Sequence, residues 1–238
     1  DMNRLRLSEQ NHLIRRAAGK TATLLLLVLC SVAVFGFQSD AEDGYEIIVG
    51  DNGITGTCNG AALQEVYVCL TGAGDDYKVV KPGASGSKLY YFNAEGIGEV
   101  FAGSQFVKIS YAGKKQVYYY RKGKLVKNRI VGSRKEGYYY VDTTGVRIAD
   151  KTTKLAVKFV RAHTKSSDSK SKKLKKCYYY LAKHYKYSRS YGNLYPKAKH
   201  MQSLAYDMLK NKRGNCHRYA ASFAYIARVI GYDAKVVV

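Results

Sequence analysis

Arg213-Gly214-Asn215-Cys216-His217-Arg218-Tyr219-Ala220-Ala221-Ser222-Phe223-Ala224-Tyr225-Ile226-Ala227-Arg228-Val229-Ile230-Gly231-Tyr232-Asp233-Ala234-Lys235-Val236-Val237-Val238 is the stretch from which the fold is read. Gly214 has the character of a left-handed stop for a preceding helix, and Asn215 is a strong N-cap for the next. Cys216 then falls in the first turn. Ala220, Phe223, Ala224 and Ala227 share its face, giving a small-sided helix able to pack deeply before Gly231 closes it. Ala234 to Val238 is predicted to be a buried strand. At a helix start, the positive end of the dipole stabilises a thiolate, the nucleophilic form of cysteine. Backbone N–H groups there can also receive an oxyanion formed by attack on an amide carbonyl. A structural cysteine on an apolar face is the competing reading of the same placement.

Upstream, the texture is helical. Leu155, Phe159 and Ala162 keep helical spacing, and the stretch Thr164 to Lys173 interrupts it with serines and lysines, as a charged loop does. Leu174, Cys177, Tyr178, Leu181 and Tyr185 then mark one face of an amphipathic helix, on which Cys177 is a small buried residue. Met201, Leu204, Ala205, Met208 and Leu209 mark another.

The glycine before the cysteine, then Tyr219-Ala220, Phe223-Ala224, Ala227-Arg228 and Gly231-Tyr232-Asp233-Ala234, resemble the core of the transglutaminase-like superfamily. The likeness reaches upstream through Tyr187, Ala205 and Met208, from about Leu155 to Val238. The resemblance implies an α+β fold with a papain-like core and makes Cys216 the catalytic nucleophile of a Cys-His-Asp triad. The implied activity is attack on peptide or glutamine amides through a thioester, as a peptidase or transamidase, on a protein or peptide substrate. The triad histidine and aspartate are expected on later strands, so the core is expected to be truncated after the nucleophile helix and first strand. The 238 residues alone are then expected to be inactive. His217 cannot substitute, because adjacent helical residues point about 100° apart. His12, His163, His184 and His200 all precede the cysteine, and His200 stands where relatives carry tryptophan.

From Glu42 to about Ile148 the pattern is short strands broken by glycine. Tyr90-Tyr91-Phe92, Tyr118-Tyr119-Tyr120 and Tyr138-Tyr139-Tyr140 are each followed by a polar turn ending in Gly96, Gly123 or Gly145, the signature of a hairpin. From Lys88 to about Asp150 these units resemble the cell-wall-binding repeats of Gram-positive surface proteins. That resemblance implies Tyr91, Tyr119 and Tyr139 as ligand-binding rings for a sugar; without tryptophan a choline cage is disfavoured. Cross-strand packing alone also accounts for the pattern.

Forty Lys+Arg against eighteen Asp+Glu give +22, and between Lys151 and Arg213 the acids are only Asp168 and Asp207. Such charge fits an anionic cell-wall polymer or polysaccharide. No nucleic-acid motif accompanies it. Arg4, Arg6, Arg15, Arg16 and Lys20 precede the apolar run Thr21 to Phe37, which reads as a cleaved secretory signal or an uncleaved membrane anchor. A secreted, extracellular or cell-wall-associated protein is expected, in which Cys58 and Cys69 are free to form a disulfide. No CxxC pair or zinc-spaced cluster is present, so neither metal nor cofactor is expected. The expected organisation is 1–41 signal or anchor, 42–87 β-rich segment, 88–150 hairpin repeats and 151–238 transglutaminase-like domain.

Overall fold

Alternation along the tyrosine-rich strands sets the architecture. The computed structural model describes residues 44–189 and 197–236, all within one compact unit. The expected signal or anchor lies outside the described residues, with Cys30 and His12. No helix among the described residues is long and apolar enough to cross a membrane.

Strands β1 (Tyr45–Gly50), β2 (Gly53–Cys58), β3 (Ala61–Ala62), β4 (Val66–Ala73), β5 (Asp76–Val79), β6 (Lys88–Phe92) and β7 (Gly98–Val100) form one antiparallel sheet. Its order is β1-β2-β7-β6-β4-β5, with β3 on β2. A second sheet is β8 (Gln105–Tyr111), β9 (Lys114–Arg121) and β10 (Lys124–Leu125); a third is β11 (Arg129–Ser133), β12 (Gly137–Val141) and β13 (Arg147–Ile148). Each aromatic run lies on the first strand of a hairpin, β6–β7, β9–β10 or β12–β13. The turn glycines Gly96, Gly123 and Gly145 have φ of 79°, 71° and 93°, a region closed to most side chains. The first hairpin is nevertheless no separate repeat. β6 and β7 lie between β4 and β2, so the expected boundary at 87/88 falls inside a sheet. Local spacing carries no information about such long-range pairing.

Successive side chains on a strand point to opposite faces, and the three sheets use both faces. Val68, Leu70, Tyr90 and Phe92 fill one side of the first sheet, while Cys69 and Leu89 meet Val107, Ile109, Tyr118 and Tyr120 of the second on the other. Tyr119 turns the opposite way, toward Val131 and Val141 of the third sheet. In β12 the phase reverses: Tyr139 turns back onto Phe106, and Tyr138 and Tyr140 pack against helices.

Four α-helices among the described residues follow: α1 (Lys151–His163), α2 (Lys170–His184), α3 (Met201–Asn211) and α4 (Cys216–Ile230), with a short 3-10 helix at Ala198–His200. Asp150 caps α1, its carboxylate accepting from the N–H groups of Thr152 and Thr153 at 3.0 and 2.9 Å. Ser169 caps α2 and starts it inside the stretch 164–173 expected to be loop. Ala156, Val157, Phe159, Val160, Cys177, Leu181, Met208, Ile226 and Val229 form the helical core. Two expected core positions point outward instead, Ala162 and Tyr178, because each lies at the edge of its apolar stripe. The expected strand from Ala234 does not form through Val236; this segment is half-exposed, and the Ala234 carbonyl accepts from Arg228 Nε at 2.6 Å. Val237 and Val238 lie outside the described residues. A mixed α/β fold with four helices and several antiparallel sheets is thus present among the described residues.

The third sheet and α4 are joined through Asn128. Its amide donates to the Gly231 carbonyl at 3.1 Å and accepts from the Tyr140 hydroxyl at 2.8 Å, while Lys170 Nζ donates to the same carbonyl at 3.0 Å. The expected boundary at 150/151 is therefore bridged by packing and hydrogen bonds. Gly231 has φ 108°, and an added Cβ would stand 2.7 Å from the Asn128 carbonyl oxygen. Gly231→Ala is expected to lower stability by about 2 kcal/mol, from left-handed strain and the lost approach. Urea denaturation measures this, and an unchanged midpoint would refute the junction.

Asp168 gives an acid limb to stability. The Lys176 ammonium at 2.7 Å and the Lys165 N–H at 2.8 Å hold its carboxyl down at about 2, against an ordinary 3.8. A depressed carboxylate stabilises the fold above its unfolded value, and the contribution disappears as pH falls through the folded value. Asp168→Asn is expected to be less stable than the parent at pH 5, with the two converging between pH 4 and 2 in denaturation curves.

Candidate active site around Cys216

The approach to Cys216 is built from backbone constraints. α3 is capped by Lys212, whose φ is 56°, so the left-handed cap expected at Gly214 falls two residues earlier. Gly214 serves close packing instead: a Cβ there would lie 2.7 Å from Arg218 Cβ and 2.9 Å from Met208 Sδ. Strand β14 (Lys186–Tyr187) pairs in parallel with β15 (Arg213–Gly214), and Ser188 N–H donates to the Gly214 carbonyl at 3.0 Å. Asn215 is the expected cap, extended at φ −90°, with its side chain accepting from the Arg218 N–H at 3.3 Å. Cys216 is the first residue of α4, exposed and free of any disulfide.

Deeper in, α4 is anchored by small residues. Ala221 packs with Leu204 and Ala205, and buried Ser222 donates to the Arg218 carbonyl at 2.8 Å, satisfying its hydroxyl within the helix. Arg218 Nε donates to Asp207 Oδ2 at 2.6 Å, and Asn211 holds the other Asp207 oxygen. Tyr219 donates to the Tyr185 carbonyl at 2.6 Å. Of the residues expected to share the buried face with Cys216, Ala224 and Ala227 are buried, Phe223 is half-buried and Ala220 is exposed. The first turns of that face are open to solvent.

Among the described residues the Cys216 thiol makes no hydrogen bond. His163 and His184 instead stack on the two faces of Tyr180, at 3.5 and 4.3 Å between ring centres. Burial, His184 and Lys212 push the His163 imidazole below its ordinary range. His200 Nδ1 accepts from the Lys197 N–H at 3.4 Å. Among the described residues no group of three His, Cys, Asp or Glu side chains is placed to hold a metal ion.

The other described cysteines are of a different kind. Burial pushes the Cys177 thiol up to about 12 and the Cys69 thiol up to about 11. Cys69 lies 3.3 Å from the Tyr120 hydroxyl, on the face of the first sheet opposite the cluster that Cys58 joins. The disulfide between them is not formed.

The expected ligand tyrosines divide. Tyr119 is 7% exposed and packs edge-on against Phe106 at 4.8 Å. A ring so enclosed cannot stack on a sugar, which corrects the reading of Tyr119. Tyr139 also meets Phe106, at 5.6 Å, and the Arg147 guanidinium lies 4.7 Å from the Tyr139 ring centre. Tyr91 is half-buried against Tyr67 at 4.8 Å. The three lie in different packing environments, Tyr91 on Tyr67 and Tyr119 and Tyr139 on Phe106. Sequence reasoning missed the Asp207–Arg218 pair, although Asp207 is one of only two acids across that basic stretch. It also missed the stacking of Tyr187 on Tyr219, which depends on the β14–β15 pairing.

Alkylation tests the exposure pattern. Brief treatment of the native protein with iodoacetamide is expected to label Cys216 before half-buried Cys58, and to leave Cys69 and Cys177 unmodified until denaturant is added. Peptide mapping by mass spectrometry reads the order, and early labelling of Cys177 would contradict the packing.

No curated protein matches the chain. Among solved structures, a truncated alternansucrase from Leuconostoc mesenteroides is similar at 12% identity and a TM-score of 0.17, over 43% of this chain; the chain spans 10% of that protein. Residues 157–238, which contain Cys216 and all of α4, match the family model of the transglutaminase-like superfamily.

Proposed function

We propose that this protein is an exported, wall-associated cysteine enzyme acting on peptide or glutamine amides. Cys216 attacks the carbonyl carbon, the amine departs with a proton, and water or an amine resolves the thioester. The reading is carried by one observation: an exposed cysteine opens a capped helix of 15 residues within the segment matching the transglutaminase-like model. The dipole favours the thiolate, and first-turn amides favour the oxyanion. Delivery of the leaving-group proton is work for a general acid. Hydrolysis is favoured over cross-linking, because water is always present and amine capture demands an acceptor site. Net charge of +22 supports association with an anionic wall polymer, with half-buried Tyr91 and Tyr139 as the rings left to meet a sugar.

A second reading, a non-catalytic wall-binding or adhesion protein with a degenerate domain, is favoured by the bare thiol. Hydroxylamine decides between the two. With a peptide bearing glutamine as donor, and a parent protein that includes the strands expected to carry the triad histidine and aspartate, the enzyme reading expects hydroxamate at a rate that Cys216→Ala lowers by a factor of about 100 or more. Equal product from Cys216→Ala would remove Cys216 as the nucleophile, and none from the parent while both proteins still sediment with isolated cell walls would establish the second reading.

A further inference from the structure

The described residues with large exposed apolar side chains include three tyrosines, Tyr178, Tyr179 and Tyr187, at 53%, 59% and 56% exposure. Their positions are not scattered. Tyr187 stacks on Tyr219 at 6.1 Å with 27° between planes, and it is paired in register with Gly214, two residues before the nucleophile. Tyr178 meets Phe223 at 5.6 Å, and Tyr179 adjoins Tyr178 at 5.7 Å. Phe223 follows Cys216 by seven residues, so it lies on nearly the same helical face, about 10 Å along the axis. Exposed Ala220 fills the interval without covering it. Aromatic side chains therefore run outward from the thiol along α4 and onto α2.

We propose that Tyr187, Tyr219, Phe223 and Tyr178 form a substrate-binding row leading to Cys216, occupied by an extended polypeptide with large apolar side chains and interspersed carboxylates. This rests on the reading of Cys216 as the nucleophile. Ring geometry favours a peptide over a glycan. Tyr178 stands at 71° to Phe223 and at 70° to Tyr179, a ridged surface that receives rounded side chains better than the flat face of a sugar. The ring separations of 5.6 and 6.1 Å are close to the roughly 6.8 Å between alternate side chains of an extended chain. Charge selects the carboxylates. α2 carries six lysines and no acid, and the Lys175 ammonium lies 5.9 Å from the Tyr179 ring. From α3, the acid facing α4 is Asp207, which is already committed to Arg218.

Binding to the full chain carrying Cys216→Ala tests the row without turnover. The probe is a fluorescein-labelled peptide alternating Phe and Glu about a central Gln, followed by anisotropy. Tyr178→Ala with Tyr187→Ala is expected to weaken binding roughly tenfold or more, the loss of aromatic anchors. Both side chains are exposed, so the fold is retained, and an unchanged far-ultraviolet spectrum verifies it. Replacing Glu by Lys in the probe is expected to weaken binding as well. Unchanged affinity on the double substitution, equal binding of the Lys probe, or displacement of the probe by chitin oligosaccharide would overturn the proposal. Aromatic-dependent binding without hydroxamate production by the parent removes the enzyme reading and leaves the row; production with tyrosine-independent binding removes the row alone.

Discussion

Strand β12 is the element through which the two textures of this chain are joined. Five residues, Gly137 to Val141, carry three tyrosines whose alternation commits them to opposite sides. Tyr139 closes onto Phe106 and completes the layer between the second and third sheets, whereas Tyr138 and Tyr140 enter the core of the helices. The Arg161 guanidinium of α1 lies over the Tyr138 ring, and the Tyr140 hydroxyl reaches Asn128, which in turn holds the Gly231 carbonyl at the end of α4. A one-residue slip of this strand would exchange its faces, removing the helical support and the inter-sheet packing together. Helix α4 is consequently held at its far end by the β-sheets.

Its near end is held by different means. Asn215 caps the first turn, Asp207 fixes Arg218, and the missing side chain of Gly214 lets Met208 and Arg218 close in. These constraints act on residues flanking Cys216 while leaving the cysteine itself exposed. Fixing the backbone around a group and leaving that group accessible is what the proposed role of Cys216 requires. Cys177, enclosed in the helical core, shows what the same side chain looks like in a packing role.

What could be read in the sequence was local. The cap at Asn215, the helix opened by Cys216, its closure at Gly231 and the turn glycines after each aromatic run depend on neighbours within a few positions, and each is present. What could not be read depends on partners far along the chain. The insertion of β6 and β7 between β4 and β2 joins segments that composition separates. Tyr119 had the spacing of a ligand ring, but a strand from the next hairpin covers it. Gly214 looked like a left-handed cap because glycine serves both conformational and steric needs; Lys212 took the strained angle, leaving glycine where two side chains converge. Tyr178 has helical spacing adequate for the core, yet it sits at the margin of the stripe and turns outward beside Phe223.

Electrostatics explains why an open face persists on a helix so rich in cations. Asp168 neutralises Lys172 and Lys176 at the start of α2, and Asp207 neutralises Arg218 at the start of α4. Both acids of the basic stretch are thereby spent on positioning helix ends. The remaining lysines of α2 repel one another over distances comparable to a Debye length of about 8 Å at physiological salt. That repulsion opposes close packing of a second basic surface and lowers the cost of bringing in an anionic one. Lysine is also depleted from the centres of ordinary apolar interfaces. The exposed tyrosines beside these lysines thus combine an apolar contact surface with a sign of charge that selects what approaches Cys216.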